Sequence, residues 1–155
     1  KFLLSRITAH IEQQSGRTTD FSTYFNNTGG KPFEIEHIWA DKMSFHADEF
    51  SQVHEFNEIR NRLGDLILLP RGTTQSFGAL RYEKKLPHYL KENLLAQSLH
   101  EACYERNPNF LNYFQNSNLD FKSHEEYKKE DVFARQELYR QICEEIWTLD
   151  FFSEN

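Results

Sequence analysis

One segment, residues 33–69, constrains the fold more than any other part of the chain. In residues 33–39 (FEIEHIW), every second residue belongs to one set, which is Phe33, Ile35, His37 and Trp39. This alternation predicts a short β-strand. Residues 48–63 carry apolar side chains at helical spacing and are followed by a glycine, so we expect a helix there. Residues 65–69 (DLILL) form a short apolar run that Pro70 stops, which predicts a second strand. We therefore expect a small sheet that the rest of the chain covers.

Helical patterns lie on both sides of this segment. Apolar residues recur at helical spacing over residues 2–14, 88–106, 110–115 and 132–149. A polar stretch at residues 15–31 contains Gly29-Gly30 and predicts a loop. The pattern as a whole predicts an α+β fold, mostly helical, in one domain over residues 1–155. The chain begins at Lys1 without Met, so we expect it to be the C-terminal fragment of a longer protein.

Composition excludes several classes of protein. Phe occurs 14 times and aromatic residues make up 15% of the chain, which argues against disorder. The longest aliphatic run is residues 66–69, whereas a membrane span needs roughly 20 apolar residues. Cys103 and Cys143 are too few for a disulfide framework or a cysteine-based zinc site. We therefore expect a cytoplasmic protein that does not enter the membrane.

The net charge of −6 conceals an uneven distribution. Residues 60–91 contain seven Lys and Arg against two Asp and Glu, a local charge of +5 that leaves −11 for the rest. Charges are screened beyond about 8–10 Å at physiological salt, so a local basic surface is enough to bind phosphate. A solvated helix face is the alternative explanation of the same cluster.

A Glu-His pair at the end of the first predicted strand is the candidate for chemistry. A histidine has an ordinary pKa near 6.5, so at a strand end it could take a proton from water. A carboxylate beside it and an oxygen from the following loop could hold Mg²⁺, which usually keeps several waters. The pattern suits metal-assisted phosphodiester cleavage, although such a pair alone also occurs as a packed or surface histidine.

The order of four segments resembles the HNH nuclease domain at the C-terminus of GmrSD-type modification-dependent restriction enzymes. The same domain type occurs in effectors that sense DNA phosphorothioation. The resembling segments are Glu34–Trp39, Asn61–Leu69, Thr74–Phe77 and Tyr82–Lys85. Residues 3–7 and 133–147 look like the family's first and last helices, so the resemblance covers most of the chain.

The resemblance implies a ββα-metal (HNH-like) core wrapped by additional helices. It implies a Mg²⁺- or Mn²⁺-dependent endonuclease or nickase domain of a bacterial anti-phage restriction protein in the cytoplasm. Double-stranded DNA, modified or of phage origin, would be its substrate. An N-terminal nucleotide-binding sensor domain of the same protein would be its partner.

The resemblance also assigns roles to particular residues. His37 matches the general base that activates water, and Glu36 matches the acidic metal ligand beside it. Asp65 stands where such domains often have an Asn, and could steady the histidine strand by accepting a backbone hydrogen bond. Thr74 falls at the loop position that completes the catalytic and metal site. Candidate DNA contacts are Arg71, Gln75, Lys84 and Lys85.

The sequence departs from the family's pattern at two positions. Ala40 replaces a proline, which loosens a turn but removes no chemistry. Thr74 replaces the loop Asn, and a hydroxyl is a poorer and shorter ligand than an amide carbonyl. Either Thr74 or Gln75 ligates in its place, or the domain has lost activity, or the Asn was replaced deliberately to inactivate the protein.

Two other functions fit parts of the sequence. A catalytically degenerate HNH fold would bind DNA or a partner domain without cleaving DNA. A plain helical interaction domain would have no site at all, and would lack a groove joining Glu36, His37 and Thr74.

Overall fold

The computed structural model describes residues 1–26 and 30–153. Within them, strands β1 and β2 span Phe33–His37 and Leu66–Pro70. Short 3₁₀ helices span Met43–His46 and Leu63–Asp65. The α-helices, numbered in chain order, are α1 (Phe2–Gln14), α2 (Phe21–Phe25), α3 (Val53–Arg60), α4 (Thr73–Phe77), α5 (Tyr82–Tyr89), α6 (Leu94–Gln97), α7 (Cys103–Arg106), α8 (Pro108–Asn116) and α9 (Lys129–Ser153).

The two strands pair antiparallel, with Phe33 opposite Pro70 and His37 opposite Leu66. Helix α4 follows β2 almost at once and packs against both strands. The expected α+β class, mostly helical, is therefore confirmed. The sheet and α4 have the order of a ββα unit, while the assignment as a metal-binding core stays a prediction.

The sheet lies between two clusters of buried side chains. Leu68 of β2 belongs to a cluster with residues of α1, α8 and α9. Its neighbours Ile67 and Leu69 belong to the other cluster, around Trp39 and Tyr89. Side chains alternate across a strand, so burial on both faces requires an uninterrupted apolar sequence such as residues 66–69.

Several predicted helices have different bounds in the structure. The helix expected at residues 48–63 is α3, which begins at Val53. Helix α5 runs through Pro87, so the first residues of the helix expected at 88–106 belong to α5 instead. The rest of the helix expected at 88–106 is divided into α6 and α7. Asn93 interrupts it, because this residue is the N-cap of α6. Its side chain caps α6 at the Ala96 amide (3.1 Å) and donates to the Leu68 carbonyl of β2 (2.8 Å).

Two predicted loops contain helices. The loop expected at residues 15–31 contains α2, whose first turn is capped by the Asp20 carboxylate. Gly29, one of its three glycines, lies outside the described residues. The polar segment after β2 forms α4 instead of an open loop. None of the helices in the described residues is sufficiently long and apolar to cross a membrane.

Helix α9 fixes the turn that leads into β2. A Cβ on Gly64 would lie 1.9 Å from the Val132 carbonyl oxygen, so a side chain is excluded at this position. The Tyr127 hydroxyl donates to the Gly64 carbonyl oxygen at 2.7 Å. This close approach places Asp65, the next residue, against the end of β1.

Candidate active site

Asp65 holds the chain where it leaves β1. Its carbonyl oxygen accepts from the Ile38 amide at 2.7 Å, and its carboxylate accepts from the Trp39 amide at 3.1 and 3.3 Å. The side chain is fully buried, and burial raises the pKa of Asp65 well above its ordinary value. Asp65 therefore makes the backbone contact expected of it, and can influence chemistry only through the strand that carries His37.

His37 lies half-buried at the end of β1. Its Nε2 is 3.2 Å from the Oδ1 of Asn61, the residue that follows α3. Burial, followed by the charge of Arg60, lowers the pKa of His37 below 6.5, so the imidazole is neutral at pH 7. If Nε2 carries the proton donated to Asn61, Nδ1 keeps a lone pair and can accept a proton from water. Asn61 stood in a resembling segment, but no spacing rule linked it to His37.

Glu36 forms a buried ion pair with Lys85 of α5. Lys85 Nζ is 2.7 Å from Glu36 Oε1, and the two side chains are 1% and 3% exposed. The same ammonium donates to the backbone carbonyl of His37 at 2.8 Å. Burial raises the pKa of Glu36, and the nearby Lys85 charge opposes that rise. One lysine thus joins α5 to both residues of the Glu-His pair.

The burial of Lys85 corrects the expectation that it contacts DNA. Its ammonium faces the protein interior, whereas Lys84 on the same helix is exposed. Tyr82, Lys85 and Tyr89 form the buried face of α5, at the spacing i, i+3 and i+7. That periodicity is visible in the sequence and was the signal that could have identified Lys85 as an inward-facing residue.

Helix α4 contains Thr74 and Gln75, the two residues that could replace the loop Asn as a metal ligand. The Thr74 hydroxyl is buried and has no hydrogen-bond partner, while the Gln75 side chain is exposed. Because α4 packs on both strands, it lies against the strand that carries Glu36 and His37. Thr74 therefore presents an uncommitted oxygen to the interior, and Gln75 remains free to face a substrate.

The predicted ligand pair does not fit a divalent ion in this structure. The Glu36 carboxylate is already neutralised by Lys85, which leaves the Thr74 hydroxyl as a single weak oxygen donor. In residues 1–26 and 30–153, no group of three or more His, Cys, Asp or Glu side chains is placed to hold a metal. A divalent ion at Glu36 would first have to displace a buried ammonium.

The remaining basic residues line the exposed surface near the sheet. Lys84 is exposed on α5, and Arg71 is 60% exposed while its Nε donates to Glu34 at 2.7 Å. The Arg81 guanidinium lies 4.0 Å from the centre of the Phe45 ring. Lys84 and Arg71 thus offer positive charge to solvent, although Arg71 shares its charge with a carboxylate, and their contact with DNA stays a prediction.

Comparison with known proteins supports a family assignment. The family model described as "GmrSD restriction endonucleases, C-terminal domain" matches residues 1–142, which include the sheet, Asp65, His37 and the Glu36–Lys85 pair. Neither the curated proteins nor the solved structures gave a significant match. Because the family model covers most of the chain, the chain belongs to the family of C-terminal domains of GmrSD restriction endonucleases.

Proposed function

We propose that this domain hydrolyses phosphodiester bonds of duplex DNA, nicking one strand, with His37 as the general base. Membership in a restriction endonuclease family implies DNA as the substrate class. The observation that supports the finer proposal is the half-buried imidazole at the end of β1, which lies 3.2 Å from Asn61 Oδ1 and whose pKa is lowered by burial. A neutral imidazole whose pKa is near or below the working pH is ready to accept a proton.

In this proposal the Nδ1 atom of His37 takes a proton from the water that attacks phosphorus. Asn61 fixes the ring through Nε2, and Asp65 fixes the strand through the Trp39 amide. Exposed Lys84 and Arg71 hold flanking phosphates, since contacts to phosphate position a protein on DNA.

Mg²⁺ or Mn²⁺ was expected from the resemblance and would stabilise charge on the leaving oxygen. No step of the proposed mechanism passes through such an ion, because the Glu36 carboxylate is already paired with Lys85. Plasmid relaxation with added Mg²⁺, added Mn²⁺ or a chelator measures whether cleavage depends on a divalent ion.

Relaxation of supercoiled plasmid by wild type and His37→Ala tests the proposal. We expect His37→Ala to abolish relaxation and His54→Ala to leave it unchanged. His54 is a suitable control because it is an exposed histidine on neighbouring α3. Equal relaxation by wild type and His37→Ala would refute the role of His37. Thr74→Asn is the companion variant, and a gain of activity would identify the loop ligand as the missing part.

A second function is favoured by the same site. Thr74 in place of the loop Asn and the committed Glu36 carboxylate both suit a domain that binds DNA or a partner domain without cleaving it. Fluorescence anisotropy with labelled duplex DNA at several salt concentrations separates the two. If wild type and Thr74→Asn bind with a steep salt dependence but neither relaxes plasmid, the binding function replaces the nuclease function.

The surrounding system is also part of the proposal. A charge of −11 outside residues 60–91 suits weak autonomous binding to DNA and delivery by another domain. We propose an N-terminal nucleotide-binding sensor domain as that partner, and modified or phage DNA as the target. Comparing the cleavage of phage DNA and plasmid DNA by the isolated domain tests whether this domain itself selects the target.

A further inference from the structure

We propose that the Lys85 ammonium is the resident cation of the Glu36 carboxylate, so that Glu36 carries no divalent ion. Lys85 then acts as a positioning residue, which holds the Glu-His end of β1 against α5. The inference rests on the proposed function for the identity of the site. Its test measures cation binding without DNA, so its failure and the failure of the nuclease proposal are distinguishable.

The first argument is the pair of hydrogen bonds that the Lys85 ammonium donates. A lysine ammonium has three N–H donors and no acceptor. Two of them are used at short distance, by Glu36 Oε1 at 2.7 Å and by the His37 carbonyl oxygen at 2.8 Å. The two acceptors belong to adjacent residues of one strand end. Lys85 therefore fixes both the side chain of Glu36 and the backbone of the histidine.

Burial carries the second step. Lysine is almost never fully buried unless it is paired, and Lys85 is 1% exposed. Its position follows from α5, where Tyr82 and Tyr89 on the same face are also buried. The lysine stem is thus fixed by helix packing, and the ammonium cannot swing into solvent without moving a packed face.

Charge carries the third step. A divalent ion bound to Glu36 would lie beside a desolvated ammonium, and like charges at short range in a buried site repel strongly. The ion would have to expel Lys85, which would leave a buried ammonium without its partner. The charge of the carboxylate is therefore balanced by a cation that belongs to the chain.

Mn²⁺ binding, followed by electron paramagnetic resonance on the whole 155-residue chain without DNA, tests the inference. We expect wild type and Glu36→Gln to bind Mn²⁺ equally weakly. Glu34→Gln is the matched control, because Glu34 is a more exposed carboxylate on the same strand. A Glu36→Gln variant that loses about tenfold or more in Mn²⁺ affinity relative to wild type would overturn the inference.

Lys85→Met provides the opposite test. Removing the ammonium frees the carboxylate, so Lys85→Met should gain a Mn²⁺ site that the double variant Glu36→Gln/Lys85→Met lacks. Circular dichroism verifies that each variant is folded. A folded Lys85→Met protein with no gain in affinity over wild type contradicts the inference.

A measurement on wild type keeps the test independent of variant folding. A buried, hydrogen-bonded ammonium exchanges its protons slowly enough to give a lysine side-chain signal in ¹H–¹⁵N spectra, assigned by its loss in Lys85→Arg. We expect the signal to persist without a shift when Mg²⁺ is added in large excess. Loss or displacement of the signal by Mg²⁺ would show that an ion takes the place of Lys85.

Discussion

Replacing Lys85 by methionine should destabilise the domain strongly. Methionine keeps most of the volume of the lysine stem but leaves the Glu36 carboxylate buried without a counter-charge. Removing one partner of a buried ion pair costs about 3–5 kcal/mol. In a domain of 155 residues each kcal/mol shifts the melting temperature by about 2–4 °C, so we expect a loss of about 6–20 °C.

The double variant Glu36→Gln/Lys85→Met should recover much of that loss, because it removes both charges. The free energy of unfolding is measured by urea denaturation, followed by the fluorescence of Trp39, which is buried in the cluster beside the sheet. Lys84→Met is the matched control on the exposed side of α5, and should change stability by no more than about 0.5 kcal/mol.

The pH dependence gives a second readout. Burial raises the folded-state pKa of Glu36 above 4.5, and removing Lys85 raises it further. A carboxyl whose pKa is higher in the folded state than in the unfolded state destabilises the protein at pH values above its unfolded-state pKa. This destabilisation disappears as the pH falls below the unfolded-state pKa. Lys85→Met should therefore approach wild-type stability on acidification from neutral pH. A loss below about 1 kcal/mol, or strict additivity of the two single variants, would refute the pairing.

Three further predictions concern the residues around the pair. Asp65→Asn should raise the free energy of unfolding at neutral pH and much less at pH near 4, because burial raises the pKa of the Asp65 carboxyl; urea denaturation at both pH values measures it. Gly64→Ala should lower the melting temperature markedly, since the added Cβ meets a backbone carbonyl of α9 at 1.9 Å; unchanged calorimetric melting would contradict this contact. Asn61→Ala should lower the pKa of His37 further, because the hydrogen bond to Asn61 raises it; an NMR titration that finds an unchanged or higher pKa would exclude that bond.

The sheet was predictable because the pattern of its sequence is typical of a buried β-strand. Residues 66–69 are apolar without interruption, and a strand buried on both faces needs that pattern. The backbone contact of Asp65 was expected from the resemblance alone, because the apolar run itself does not indicate it. Helix bounds near residue 93 were not predictable, because the Asn93 side chain bonds to the Leu68 carbonyl 25 residues away. Local periodicity cannot show such a contact.

The candidate site was predicted in part. The resemblance brought His37 and Glu36 together at the strand end, where the structure also has them. It did not show that Lys85 reaches Glu36 from 49 residues away, because no sequence spacing relates α5 to β1. Family motifs describe which residues recur. Whether a carboxylate such as Glu36 is paired with a cation depends on the packing of the helices around it.

The placement of β2 between the two buried clusters has a consequence for unfolding. Leu68 contributes to one cluster, while Ile67 and Leu69 contribute to the other, so loss of the strand disrupts both at once. We therefore expect the two clusters to unfold together, as the parts of a small single domain usually do. In that case the amide protons of β2 exchange with solvent through global opening, and hydrogen exchange of this strand measures the stability of the whole domain.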